Sequence, residues 1–355
     1  MPFYEGLKRA GMRKKLLESA GISLRLGLRG DKATIDLRRL ITHYGCDLRN
    51  PKISIEMSSV KIASSNLPPC SISLLDGRLI IGTYDLNKST GVRTGSLDMY
   101  GSDLQLLQST PTSSAILDTK IYDNKLYTAD STGKISAWDP SNLALIDQFQ
   151  VKPAETLITQ IEPQNNNTLA ATTTEGELLV FDLEAQKIKY EAKLHDLEAW
   201  TVSWHTNDTL LTGGDDRLLT YTDLRIPYTL WKLKPHEAGV TSILPDSAIS
   251  GDSNRILTGG YDDMLNLFDL RTRRVSETTQ LSGGVWRLLP NPSKSRILAC
   301  CMYGGLQILD PSEFGRVEAE LTNHESMVYG GAWLDDSTGI TCSFYDKMLQ
   351  KWNVK

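Results

Sequence analysis

GGDDRLLTYTDLR at 213–225 and GGYDDMLNLFDLR at 259–271 are one phrase written twice, 46 residues apart. Self-similarity at a fixed spacing marks a repeat architecture. The phrase returns at the end of the chain as TCSFYDKMLQKWN (341–353), where Tyr345, Asp346, Leu349 and Trp352 match Tyr261, Asp262, Leu265 and Phe268. Weaker copies are STGKISAWD (131–139), TTEGELLVFD (173–182) and MYGGLQILD (302–310). Each has a small residue, a turn with an acid or glycine, and an apolar strand that closes near an Asp or Asn.

Leu178 and Val180, like Leu265 and Leu267, alternate with period two, which argues strands rather than helices. The closing residues Asp139, Asp182, Asp223, Asp269 and Asp310 lie 41 to 46 residues apart. A period of about 40–45 residues closed by a Trp-Asp-like pair is the mark of WD repeats, four strands to each blade of a β-propeller. Only Trp138-Asp139 keeps the literal pair. A single blade cannot bury both its faces, so several must close into a ring. The spacing predicts an all-β, seven-bladed WD-repeat propeller over 58–355, with blades near 66–110, 111–150, 151–194, 195–235, 236–281, 282–323 and 324–355. The first blade carries an insertion, DLNKSTGVRTG (85–95). The last ends after its third strand, and SSVKIASS (58–65) is placed to supply the fourth.

The net charge of −5 divides unevenly: residues 1–52 hold 12 Lys and Arg against 5 Asp and Glu, which leaves −12 on the rest. An acidic ring is a poor nucleic-acid binder and suits a cationic partner. The N-terminal extension, 1–57, stands outside the repeat; LKRAGMRKKLLESAG (7–21) reads as a basic amphipathic helix or a solvated, disordered arm. Glu5 and Glu18 argue against a mitochondrial presequence. No apolar run reaches the roughly 20 residues of a membrane span. Cysteines 46, 70, 300, 301 and 342 have no metal-ligand spacing, which fits a reduced, cytoplasmic protein.

Several phrases fall outside the repeat consensus: GTYDLNKSTGVRTGSLDMY (82–100), HDLEAW (195–200), GGVWRLLPNP (283–292), ACCMYGGLQIL (299–309) and HESMVYGGAW (324–333). With the repeat phrases they resemble the WD-repeat family of diphthine methyl ester hydrolases of diphthamide biosynthesis, over about 80–352 in order. The resemblance implies a carboxylic ester hydrolase. Its substrate would be translation elongation factor 2, on which a modified histidine bears a trimethylammonio group and a methyl ester. It implies no cofactor, and other diphthamide-pathway enzymes as further partners. The alternative is a non-catalytic scaffold, since fold does not fix function.

The residues offer no ready hydrolase signature. Gly-x-Ser-x-Gly is absent, and so is His-Glu-x-x-His, so no metal is expected. His236 and His324 sit four residues before Val240 and Val328, where a WD repeat places a structural His bonded to a turn acid, here Asp262 and Asp346. His324 is also a candidate base for Ser326, with Asp346 as its acid partner. His195 occupies a similar loop and His205 follows a strand-end Trp204; both read as structural. Cys301 is a candidate nucleophile or an inert buried thiol.

Aligning the first strands puts Trp200, Thr241, Trp286 and Tyr329 at one position, near the central mouth. Aromatic faces attract quaternary ammonium ions, and Glu198 or Glu325 would add charge. These side chains would otherwise cap the inner strands. Arg287 is either buried against an acid between blades or a clamp on the ester carbonyl or product carboxylate. Asp215, Asp216, Asp262 and Asp263 are read as turn residues.

Overall fold

The computed structural model describes residues 56–164, 167–226 and 228–355. The basic segment 1–52, and with it the helix expected over 7–21, lies outside them. The described residues form seven antiparallel sheets. Their innermost strands are Pro69–Leu75, Ile116–Tyr122, Ile158–Gln164, Ala199–Trp204, Val240–Pro245, Arg287–Pro290 and Val328–Trp333. Each touches the next in chain order, and the seventh touches the first, so the sheets are the blades of a closed propeller. The one helical turn among the described residues is Asp246–Ala248.

Burial follows from that geometry. Middle strands are sandwiched between neighbouring blades and bury both faces, so Arg78–Thr83 carries the run Leu79-Ile80-Ile81, fully buried. Outer strands half-bury one face and expose the other, as in Lys187–Lys193. An apolar cluster fills each blade boundary: Ile80 with Ile116 between the first and second blades, Leu211 with Ile256 between the fourth and fifth, and Leu298 with Trp352 between the sixth and seventh.

The ring is closed by the N-terminal side of the repeat region. Met57–Ser64 pairs antiparallel with Met348–Val354 and becomes the outermost strand of the seventh blade. The Ser65 N–H donates to the Lys347 carbonyl at 2.9 Å and carries the seam one residue further. The insertion at 85–95 folds as a small hairpin, Asp85–Leu86 on Arg93–Thr94, its tip held by the Asn87 side chain accepting from Ser89 and Thr90 N–H groups.

Candidate functional site: an aromatic and acidic mouth

One local device aims the side chains at the mouth. In six blades the first strand starts with a register shift that leaves one residue bulged: Cys70, Leu117, Thr159, Trp200, Thr241 and Tyr329. A bulge bends a strand and redirects the residue it carries. In the sixth blade Trp286 stands at the same place, its N–H on the Cys300 carbonyl at 2.8 Å.

The structure brings three of the four aligned residues into one aromatic run. Trp200 and Trp286 lie 5.7 Å apart between ring centroids, and Trp286 and Tyr329 lie 4.9 Å apart. Tyr261 joins at 6.1 Å from Trp286, and Phe344 extends the run from Tyr329 to Tyr84 and Tyr345. The arc passes from the fourth blade through the seventh to the first. Thr241 does not share it. Its side chain is fully buried and donates to the Val285 carbonyl at 2.6 Å, a staple between blades that Thr159 repeats onto the Ala199 carbonyl. That bond holds the short side chain in the blade boundary, away from the aromatic run, so the placement of Thr241 at the mouth is corrected.

Two acids flank the arc. The Trp200 indole N–H donates to Asp215 at 3.1 Å. Burial raises the Asp215 carboxyl above its ordinary range; the Trp200 bond opposes this, while Glu198 and Asp216 push it further up. Burial also drives the Tyr261 hydroxyl well up, helped by Asp215 and Glu198. Gly239 makes this crowding feasible, because a Cβ there would come 2.5 Å from Asp215 and 3.0 Å from the Tyr261 ring. Aromatic rings beside partly desolvated carboxylates form a site for a cation that hydrogen bonds cannot satisfy. Glu325 has an exposed side chain, and its backbone N–H caps Asp346.

Asp215 and Asp216 look alike in sequence and differ in role. Asp216 accepts from His195 Nδ1 at 2.9 Å, and Asp262 binds His236 at 3.0 Å in the same way, each with the far ring nitrogen on a buried threonine. In the seventh blade the turn is one residue longer, since Cys342 pairs Leu349 where Gly259 pairs Leu265. His324 therefore reaches Asp346 through Ser343, with Nδ1 on Ser343 Oγ at 2.6 Å and Nε2 on Thr341 Oγ1 at 2.9 Å. Both nitrogens are engaged away from Ser326, whose buried hydroxyl accepts the Tyr345 N–H at 2.9 Å. The expected base–nucleophile pair of His324 and Ser326, with Asp346 behind it, is thus a structural brace. His205 is likewise engaged, on the Tyr221 hydroxyl and the Ser253 carbonyl. Burial pushes the Cys301 thiol up to about 12, the state of an inert core thiol.

Burial lowers His324 from 6.5 to about 4, against a smaller opposing pull from Asp346. A depressed histidine stabilises the fold fully above the unfolded value, and that contribution is lost as pH falls through the folded one. Wild-type unfolding free energy is expected to fall by up to about 3 kcal/mol between pH 6.5 and 4 from this group. His324→Gln should lack that part of the slope in urea melts; parallel slopes would contradict the assignment.

Arg287 lies over the Trp286 ring, 5.5 Å from its centroid, and faces Asp118 of the second blade at 3.6 Å. Among the described residues no group of His, Cys, Asp and Glu is placed to hold a metal ion.

The family model "WD domain, G-beta repeat" matches residues 228–269. Diphthine methyltransferase of Saccharomyces cerevisiae is 32% identical, covering 85% of this chain and 100% of that protein. Diphthine methyltransferase of Schizosaccharomyces pombe is 33% identical over 77% of this chain and 90% of its own. The chain belongs to the diphthine methyltransferase family. That membership bears out the resemblance to WD-repeat proteins of diphthamide biosynthesis. It also corrects the enzyme class, since members of the diphthine methyltransferase family are named for methyl transfer, which overturns the carboxylic ester hydrolase expected from the sequence. A chain of a solved mitotic checkpoint complex superposes with a TM-score of 0.69 at 16% identity, covering 94% of this chain and 98% of that one, a likeness of fold alone.

Proposed function

We propose that this protein recognises the diphthine side chain of translation elongation factor 2 and serves a step of diphthamide biosynthesis that handles its methyl groups. The observation that carries the reading is the run Trp200–Trp286–Tyr329 with Asp215 and Glu198 beside it. A trimethylammonio group has no N–H to donate, so polar side chains alone discriminate it poorly. Aromatic faces hold it by about 2 kcal/mol or more when water is excluded. The names of the two yeast relatives point to the same modified residue. The balance of −12 outside residues 1–52 supports attraction of a cationic partner.

Mass spectrometry of elongation factor 2 carrying diphthine at defined methylation states, incubated with the purified chain with and without a sulfonium methyl donor, tests this. The expected result is a change of one methyl group at the modified histidine that scales with added protein. An unchanged modified peptide at all methylation states, with the protein folded, would overturn the reading. Retained binding in that case would favour the scaffold.

A further inference from the structure

The wall of the central channel carries a guanidinium that the fold engages only through a long ion pair and a ring face. Arg287 opens the innermost strand of the sixth blade, and its side chain is only 16% exposed. A guanidinium carries five N–H donors, and buried donors are normally paired. Arg296, at 19% exposure, meets Glu318 at 2.9 Å, and Arg255 meets Asp246 at 2.6 Å. The Arg287 guanidinium makes no hydrogen bond to any described residue; its nearest acid, Asp118, stands at 3.6 Å through Oδ1, and the other Asp118 oxygen accepts the Ile161 N–H at 3.1 Å. Lys120, also on this wall, is committed to Glu162 at 2.7 Å. Arg287, Asp118 and Lys120 line a cavity of about 160 Å³ whose rim includes Tyr329.

We infer that Arg287 is the receptor for a carboxylate carried close to the quaternary ammonium, so that mouth and channel together read a zwitterion. This rests on the proposed recognition of a trimethylammonio group at the mouth. The two subsites share Trp286, whose ring contacts Trp200 and Tyr261 and also carries Arg287. An incoming carboxylate takes the unused fork of Arg287, while the long contact to Asp118 keeps the guanidinium oriented across the channel. Carbonyl oxygens without charge engage the same fork more weakly.

The test is a tryptophan-fluorescence titration of the full chain with trimethylammonioacetate, its methyl ester, tetramethylammonium and acetate. Wild type is expected to bind the zwitterion about tenfold more tightly than the ester or tetramethylammonium, the scale of one charge-assisted hydrogen bond. Arg287→Met should erase that advantage without weakening tetramethylammonium binding, since it also takes a positive charge off the Trp286 ring, and Arg287→Lys should restore part of it. Equal affinities in wild type, or an advantage that survives Arg287→Met, would overturn the inference while leaving the aromatic mouth standing. Acetate binding as tightly as the zwitterion would overturn it too, because the mouth would then add nothing. If no probe bound wild type, the mouth reading itself would fall.

Discussion

Trp286→Ala is expected to lower kcat/KM on diphthine-bearing elongation factor 2 by about 30-fold or more, the equivalent of one desolvated cation–π contact of about 2 kcal/mol. Trp286 is the hinge of the site. It touches Trp200, Tyr261 and Tyr329 and lies under Arg287, so its loss disorders the whole arc. Its ring is only half-buried, and its backbone N–H stays on Cys300, so the blade should survive. Steady-state kinetics with a thermal melt as control checks both parts. Trp286→Phe should keep much of the activity, since a smaller π face remains. A folded Trp286→Ala protein with unchanged kcat/KM would remove the cation site from the account.

Trp352→Ala is expected to destabilise the ring by about 3–5 kcal/mol, a large share of the 5–15 kcal/mol that holds an ordinary domain together. Trp352 is fully buried and sits edge-on against Trp333 at 5.0 Å. Its strand is the one on which Met57–Ser64 closes the propeller, and Trp352 itself pairs with Ser59. Gly339 leaves room for the indole; a Cβ there would lie 2.3 Å from the ring. The indole N–H has no hydrogen-bond partner among the described residues, so Trp352→Phe loses volume but no bond and should cost much less. Chemical denaturation of both variants decides this. Equal, small losses would mean that the seam does not limit stability.

The fold was legible because the repeat is written in residues that local physics constrains: turn acids, alternating apolar strands and histidines that brace them. The closure by 58–65 was legible for the same reason, as the seventh blade lacked a strand. The mouth was legible only in part. Trp200, Trp286 and Tyr329 followed from aligning first strands, but Thr241 showed that a shared position does not ensure a shared reach. Tyr261, Phe344 and Asp215 were missed as site residues because they follow small residues at the ends of second strands, where an acid or tyrosine reads as turn chemistry. The doubling in Asp215-Asp216 was the signal: one acid braces His195, and the other is left to accept from Trp200. His324 and Ser326 misled because their spacing suggested a pair, whereas the longer turn of the seventh blade hands His324 to Ser343.

The most direct measurement is calorimetric titration of the purified chain with elongation factor 2 carrying diphthine and with the same factor carrying unmodified histidine. Tighter binding of the diphthine form by about 30-fold is expected, with the difference lost in Trp286→Ala. Equal affinity for the two forms would contradict it.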